Sequence, residues 1–175
     1  MFEIKRIKIG NLLMLYNYLT IRYKVFVIEL GRSALKELSK LDVYCKHYVL
    51  LLDTVVIGTS RLCYIDNVVE LGRVALLADY RNKGYASLAI SLLINQIREE
   101  GKTNFIRLFT KNENIDFYKK FNFSRVQWKN TQKCRFTFLK VFLQERKELF
   151  SGAFLVLFTK DYNISSPKIF IKRGF

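Results

Sequence analysis

The turn DYRNKGYAS, residues 79–87, carries the residue types that bind phosphate groups. From Leu88 onward, apolar residues recur every three to four positions, which is typical of an amphipathic helix. Gly84 therefore stands where the first N–H groups of that helix lack a partner, and such groups attract anions. Arg81 and Lys83 would add positive charge. The pattern predicts a phosphate-binding turn; the alternative is an ordinary strand end followed by a capped helix.

The segments on either side of this turn predict an α/β domain, in which a mixed sheet is flanked by helices. Asn11 is the expected N-cap of the first helix, and Gly101 is expected to end the helix that follows the turn. Asp53 and Thr54 are expected to form a hairpin turn. The predicted strands are residues 2–9, 47–53, 55–65, 67–77 and 104–111; a helix is predicted over 11–30, a short one over 114–121, and a short helix with a loop over 31–46.

Composition limits the classes of protein that this chain can be. With 175 residues it is expected to form one domain, and 50% hydrophobic content excludes a disordered basic tail. The net charge of +15 favours an anionic ligand or partner, such as phosphate, nucleic acid or an acidic membrane surface. A solvated basic surface that keeps the protein soluble is the alternative explanation of the charge.

The three cysteines and the chain's apolar runs give mainly negative predictions. Cys45, Cys63 and Cys134 are widely spaced and His47 is the sole histidine, so the usual zinc site is not expected. The cysteines are interpreted as buried thiols in a reducing compartment, which predicts a cytoplasmic protein. The basic N-terminus lacks a small-residue cleavage site, and no apolar run approaches the roughly 20 residues that span a bilayer, so neither a signal peptide nor a membrane span is expected.

Two motifs resemble the GNAT superfamily of N-acetyltransferases. GRVALLADYRNKGYASLAISLL, residues 72–93, resembles the acyl-CoA-binding segment, with Arg81-Asn82-Lys83-Gly84-Tyr85-Ala86 in place of the signature Arg/Gln-x-x-Gly-x-Gly/Ala. NENIDFYKKFNF, residues 112–123, is similar to the family's tyrosine-bearing short helix. Upstream, IRYKVFVIEL, HYVLLLD and GTSRL resemble the ElaA-like acyltransferases, and also the acyl-homoserine-lactone synthases. The resemblance covers about residues 2–123 and implies a mixed, mostly antiparallel sheet.

The resemblance implies that acetyl-CoA is the acyl donor. Backbone N–H groups of the turn would wrap the pyrophosphate, and Gly84 would allow its close approach. The fourth strand would pair with the pantetheine arm through its main chain and splay from the fifth strand, and Thr110 would line the resulting cleft. The cofactor-binding residues implied are Val74, Ala75, Leu76, Arg81, Asn82, Lys83, Gly84, Tyr85, Ala86, Ser87, Asn112 and Asn114.

Tyr118 is the candidate general acid, because a phenol can protonate the thiolate that leaves a thioester. Its alternative is an aromatic packing role. Asn122 replaces the family's usual glycine and can adopt the same left-handed conformation. Glu70 and Glu29 are the candidate bases, with a water chain as the alternative; His47, although its intrinsic pKa suits a base, is interpreted as structural.

Arg22, Arg61 and Arg73 lie on apolar elements expected to meet near the cleft. They predict a buried polar network or a carboxylate-binding acceptor pocket, with solvent-facing strand positions as the alternative.

The resemblance ends at Phe123, and residues 124–175 carry 11 basic and 3 acidic side chains. RFTFLKVFL and AFLVLFTK, residues 135–143 and 153–160, are interpreted as closing strands of the same domain. Divergence, an added basic element or a changed reading frame could each explain this ending. The sequence thus predicts an N-acyltransferase acting on a small-molecule or protein amine. The alternatives are a non-catalytic protein that binds nucleic acid nonspecifically, and an acyl-homoserine-lactone synthase-like enzyme.

Overall fold

The computed structural model describes residues 1–65, 67–126 and 136–142. It contains a seven-stranded sheet in the order β1-β2-β3-β4-β5-β7-β6. The strands are β1 (Phe2–Arg6), β2 (Lys46–Leu52), β3 (Val55–Ile65), β4 (Val68–Leu76), β5 (Phe105–Lys111), β6 (Ser124–Arg125) and β7 (Phe136–Phe142). The α-helices are α1 (Leu12–Arg22), α2 (Ala34–Glu37), α3 (Tyr85–Glu100) and α4 (Ile115–Lys119). A π-helix spans Tyr23–Glu29, and 3₁₀ helices span Lys40–Tyr44, Ala78–Tyr80 and Asn112–Asn114.

Neighbouring strands of this sheet are antiparallel except for β4 and β5, which run parallel. Consecutive antiparallel strands need only short turns, and Asp53, with a positive φ of 56°, makes the turn between β2 and β3. The parallel pair requires a crossover, and α3 supplies it. The predicted mixed, mostly antiparallel sheet with flanking helices is confirmed.

Helices pack on both faces of the sheet. Because side chains alternate along each strand, neighbouring residues of one strand contact helices on opposite faces. On β2, Tyr48 belongs to the cluster that packs under α3, whereas Val49 packs with Tyr18 of α1. The α3 side of the core contains Ile90, Leu93, Ile94 and Ile97, at the three-to-four spacing read from the sequence.

The predicted helix boundaries agree with the structure, with one exception. Asn11 caps α1 by accepting a hydrogen bond from the Met14 N–H at 3.0 Å, and Gly101 ends α3 in a left-handed conformation. The first helix does not stay α-helical to residue 30, because it widens into the π-helix at Tyr23. This wider turn brings Val25 and Phe26 against Ala75 of β4.

The first strand ends at Arg6 rather than residue 9, since a turn with Gly10 at a φ of 93° follows it.

The interpretation of Cys45 and Cys63 as buried thiols is wrong, because the two form a disulfide. Lys46 pairs with Leu62 across β2 and β3, so the hairpin register places the preceding Cys45 opposite Cys63, with Cα atoms 4.4 Å apart. This distance suits a disulfide. The prediction of a reducing compartment loses its support from these two residues. Cys134 lies outside the described residues.

The first predicted closing strand, residues 135–143, corresponds to β7, which pairs with β5 along its whole length. The second, residues 153–160, lies outside the described residues, as does most of the basic C-terminal segment. The domain boundary after residue 123 stays a prediction. No helix in the described part of the chain is long and apolar enough to cross a membrane.

Candidate active site

A cleft opens between the two parallel strands at the centre of the sheet. Pairing of β4 with β5 runs from Val68–Phe105 to Leu71–Leu108 and then stops, although β4 continues to Leu76 and β5 to Lys111. Beyond Leu71, main-chain groups of β4 on the side of β5 therefore have no partner on that strand. Thr110, expected to line the cleft, lies on the end of β5 that does not pair with β4, and it is buried.

A β-bulge in β4 marks the point where the strands separate. Thr59 of β3 faces Ala75 whereas Arg61 faces Gly72, so β4 carries one extra residue here, and Arg73 has a φ of +53°. The Thr59 hydroxyl holds the bulge by donating to the Arg73 carbonyl at 3.0 Å. Bulges of this kind redirect a strand and are frequent beside functional sites.

The expected pantetheine-binding residues lie beyond the bulge. The Leu77 N–H donates to the Ile57 carbonyl, and antiparallel main-chain groups alternate in direction. The N–H and C=O of Ala75 therefore face β3, whereas those of Val74 and Leu76 face the cleft. The Leu76 carbonyl already accepts from Arg81 Nε at 2.9 Å, which leaves the Val74 groups and the Leu76 N–H for a ligand.

The turn before α3 forms a concave array of N–H groups. Asn82 and Gly84 both adopt positive φ angles, 60° and 83°, and the Leu88 N–H is the first to bond back into the helix, to the Gly84 carbonyl at 3.1 Å. Within the described residues, the N–H groups of 82–87 have no protein acceptor. A Cβ added at Gly84 would contact nothing within 4 Å. This geometry is that of an anion-binding turn.

Arg81 is held by the protein on the edge of this turn. Besides its bond to Leu76, its guanidinium forms an ion pair with Glu29 at 2.6 Å. Lys83 lies over the Tyr80 ring at 6.0 Å. The charge of Arg81 is thus paired with Glu29, whereas Lys83 has no ion pair among the described residues and keeps the turn positive.

Tyr118 of α4 packs among aromatic rings on the α3 side of the sheet. Its ring makes edge contacts with Phe117 and Phe123, at centroid distances of 5.0 and 5.8 Å. Burial raises the pKa of the Tyr118 phenol to about 12, so it stays protonated at neutral pH. Asn122 adopts a φ of 62°, which confirms that asparagine supports the left-handed turn after α4. Asn112 and Asn114 lie on the short 3₁₀ helix before α4, and both are exposed.

The two candidate bases lie at opposite ends of β4. Glu70 precedes the bulge and pairs with Arg107 of β5 at 3.2 Å and with Arg61 at 3.8 Å. Glu29 is bound to Arg81, which is itself bound to Leu76, six residues along the strand from Glu70. At about 3.3 Å per residue, and with one residue taken up by the bulge, Glu70 and Leu76 lie roughly 16 Å apart along the strand. The two carboxylates therefore approach different parts of β4.

The three arginines form a buried polar network, as one of the sequence interpretations held. Arg22 is 1% exposed and donates through Nε to Glu37 at 3.0 Å. Arg73 forms an ion pair with the same carboxylate at 2.7 Å, and Arg61 donates to Asp42 at 2.7 Å. The neighbouring Arg22 and Arg61 guanidinium groups more than offset the effect of burial and keep the pKa of Asp42 below its usual range.

His47 belongs to the same network as a structural residue. Its Nε2 lies 2.7 Å from the Asp42 carbonyl and its Nδ1 lies 2.8 Å from the Tyr18 hydroxyl. Since a carbonyl can only accept, Nε2 carries the proton and Nδ1 accepts from Tyr18. Burial lowers the pKa of His47, which favours this neutral form.

Sequence reasoning missed the acidic half of this network, Glu37 and Asp42. One signal was present: Ser39 and Asp42 have capping-box spacing, and in the structure the Ser39 N–H donates to Asp42 at 3.0 Å. The sequence contains no comparable signal for Glu37. Gly58 and Gly72 were also missed, since a strand glycine shows its reason only when the neighbouring strand is in place.

In the described part of the chain, no group of three or more His, Cys, Asp and Glu side chains is arranged to hold a metal ion.

The sheet, its central cleft and the turn before α3 together form the fold of the acyl-CoA N-acyltransferases. The chain belongs to the acetyltransferase (GNAT) family, whose model matches residues 12–123. The protein YyaT of Bacillus subtilis, described as uncharacterized, is 27% identical over 112 residues, which are 62% of this chain and 75% of that protein.

Two solved structures illustrate the fold. Escherichia coli ElaA has a TM-score of 0.71 at 18% identity, covering 80% of this chain and 99% of that chain. A GNAT family acetyltransferase from Elizabethkingia anophelis, solved with acetyl-CoA bound, has a TM-score of 0.61 at 15% identity, covering 81% of this chain and 97% of the other.

Proposed function

We propose that the protein transfers an acetyl group from acetyl-CoA to the amine of an acceptor molecule. The observation that carries the proposal is the combination of a splayed β4–β5 pair with an anion-binding turn directly after β4. The pyrophosphate would lie on the N–H groups of 82–87, and the pantetheine arm would bond the Val74 and Leu76 main chain. The thioester would then lie in the cleft near the bulge. Exposed Asn112 and Asn114 would contact the cofactor from the β5 side.

The reaction proposed is direct attack. The acceptor nitrogen forms a bond to the acetyl carbonyl carbon, the carbon–sulfur bond breaks, and the products are an amide and coenzyme A. Tyr118 gives its proton to the departing sulfur, a role that suits a phenol which burial keeps protonated. Glu70 takes one proton from the acceptor's ammonium group before attack, directly or through water, since it lies on β4 near the bulge. The second proton, which the nitrogen loses on becoming an amide, returns through solvent to the Tyr118 phenolate. Glu29 stabilises the turn before α3 through its ion pair with Arg81.

The test is a calorimetric titration of acetyl-CoA into wild type, Gly84→Asn and Gly101→Asn. Asparagine tolerates positive φ, so both variants keep their backbone, but Gly84→Asn places a Cβ in the open space before the N–H groups. A hydrogen bond to a charged group contributes about 1.5–3 kcal/mol. Losing two of them weakens binding by at least about a hundredfold.

Gly101→Asn is the matched control, because Gly101 has a φ of 62° at the far end of the same helix. It should bind acetyl-CoA as wild type does. Equal affinity of Gly84→Asn and wild type would refute the proposed pyrophosphate site, and no heat with wild type would refute acetyl-CoA as the donor.

A further inference from the structure

One edge of the Arg61 guanidinium is not used by the protein. Arg61 is a β3 residue whose side chain is 5% exposed, and its Nη1 donates to Asp42 at 2.7 Å. Its Nη2 has only a long ion pair with Glu70, at 3.8 Å. Its Nε is buried and has no hydrogen-bond partner among the described residues. The Nε–Nη2 edge of a guanidinium carries the two parallel N–H groups that bind a carboxylate.

This edge faces Gly72, the residue at the start of the β4 bulge. A Cβ at Gly72 would lie 3.5 Å from Arg61 Nη2 and 3.9 Å from Nε. Glycine therefore keeps a side chain away from the two donors. Gly72 is itself only partly buried, so this part of β4 lies near the surface of the protein.

The charges around this space favour the binding of an anion. Among the described residues, four guanidinium groups meet three carboxylates in the network, so positive charges outnumber negative charges by one in this set. The guanidiniums are those of Arg22, Arg61, Arg73 and Arg107, and the carboxylates those of Glu37, Asp42 and Glu70. Arg32, at 3.9 Å from Glu37, adds a further positive charge at the rim. Burial, and after it the nearby Arg61 guanidinium, lower the pKa of Arg73.

We propose that the Nε–Nη2 edge of Arg61, opened by Gly72, binds a carboxylate of the acceptor, so that the acceptor is an amine that also carries a carboxylate. The inference rests on the proposed acetyl transfer. Gly72 and Val74 are two residues apart on β4, a distance of at most about 7 Å. A carboxylate at Gly72 would thus hold an amine a few bonds away against a thioester that lies beside Val74. The acceptor is a small, amino-acid-like molecule.

The experiment compares paired amines that differ only in the carboxylate: lysine with cadaverine, and 5-aminopentanoate with pentylamine. Release of coenzyme A thiol from acetyl-CoA gives kcat and KM. A bidentate charged contact is expected to favour the carboxylated member of a pair about tenfold to a hundredfold in kcat/KM, mainly through KM. Calorimetric titration of the same four compounds measures binding without turnover.

Gly72→Ala is the decisive variant, because its methyl group would make ordinary contacts and Gly72 has no positive φ, so the protein should fold. We expect it to abolish the preference for the carboxylated amine while cadaverine and pentylamine react as before. Arg61→Lys, which keeps the charge but not the fork of donors, should act in the same direction.

Equal use or equal binding of both members of a pair by wild type overturns the inference, as does an equal loss for both in Gly72→Ala. Binding of acetyl-CoA without binding of any carboxylated amine also overturns it, while leaving the proposed donor intact. Absence of acetyl-CoA binding refutes the proposed function itself. Succinyl-CoA is a further arm: if wild type prefers it to acetyl-CoA and Gly72→Ala does not, the carboxylate belongs to the acyl group and not to the acceptor.

Discussion

Replacing Tyr118 with phenylalanine should remove the proton donor and little else. The ring contacts with Phe117 and Phe123 do not involve the hydroxyl, and no hydrogen bond to that hydroxyl exists among the described residues. Tyr118→Phe should therefore fold and bind acetyl-CoA like wild type. General acid catalysis typically accelerates a reaction by about 10² to 10⁴, so we expect kcat to fall by that factor.

The pH dependence gives a second measure of the same role. With a pKa of about 12, Tyr118 remains about 99% protonated at pH 10, whereas a tyrosine with the ordinary pKa of 10 would be half ionised there. The rate of wild type should consequently show no loss of the acid between pH 8 and 10. Tyr118→Phe should lie below it by a constant factor across this range.

The assay is thiol release from acetyl-CoA with an amine that wild type accepts, run under conditions where chemistry limits the rate. Tyr16→Phe serves as the matched control, because Tyr16 is 67% exposed on α1 and the proposed reaction does not use its hydroxyl. A Tyr118→Phe variant that binds acetyl-CoA normally and turns over like Tyr16→Phe would refute the reasoning and make Tyr118 a packing residue, with water as the donor.

Three further predictions concern the scaffold. Gly58→Ala would place a Cβ 2.5 Å from the Ala75 carbonyl oxygen, so denaturant unfolding should show a loss of about 1–3 kcal/mol in the unfolding free energy, and an unchanged value would contradict this close approach. Reducing the Cys45–Cys63 disulfide should lower the unfolding free energy by about 3 kcal/mol, and the same reductant should leave Cys45→Ser unchanged. His47 has a folded pKa below 6.5, so the unfolded state binds its proton first and stability should fall as pH drops from 7 through 6.5 and below; His47→Gln should flatten this part of the profile, and an unaltered profile would contradict the assigned neutral state.

The sequence predicted most of the sheet because its signals are local. Alternation, helix caps and hairpin turns depend on neighbouring residues, and Asn11, Asp53 and Gly101 act as expected. The disulfide was missed because its two cysteines become neighbours only through the register of β2 and β3. The π-helix was missed for a similar reason, because its wider turn is explained by the packing of Val25 and Phe26 against Ala75, which is distant in sequence.

The candidate site also has parts that could be predicted from the sequence and parts that could not. The turn at Gly84 could be predicted because a contiguous motif and a helix start define it. The network around Arg61 could be predicted only in part, as the arginines stand out on apolar strands but Glu37 and Asp42 come from irregular segments between α1 and β2. The distance between Glu29 and Glu70 could not be predicted at all, because it depends on which end of β4 each carboxylate approaches.

The single parallel pair in the sheet has a consequence for the order of folding. β1 to β4 adjoin one another, and β2, β3 and β4 follow in sequence through short turns; β5, β6 and β7 pair among themselves beyond the α3 crossover. The residue pairs from Val68–Phe105 to Leu71–Leu108 join the two sets across the α3 crossover, and they are less local than the β2–β3 and β3–β4 pairs, so they form later than those because closing the longer loop costs entropy. The cleft between β4 and β5 forms only after these residue pairs have formed. During refolding, thioester binding should therefore recover after most of the far-ultraviolet circular dichroism signal has returned.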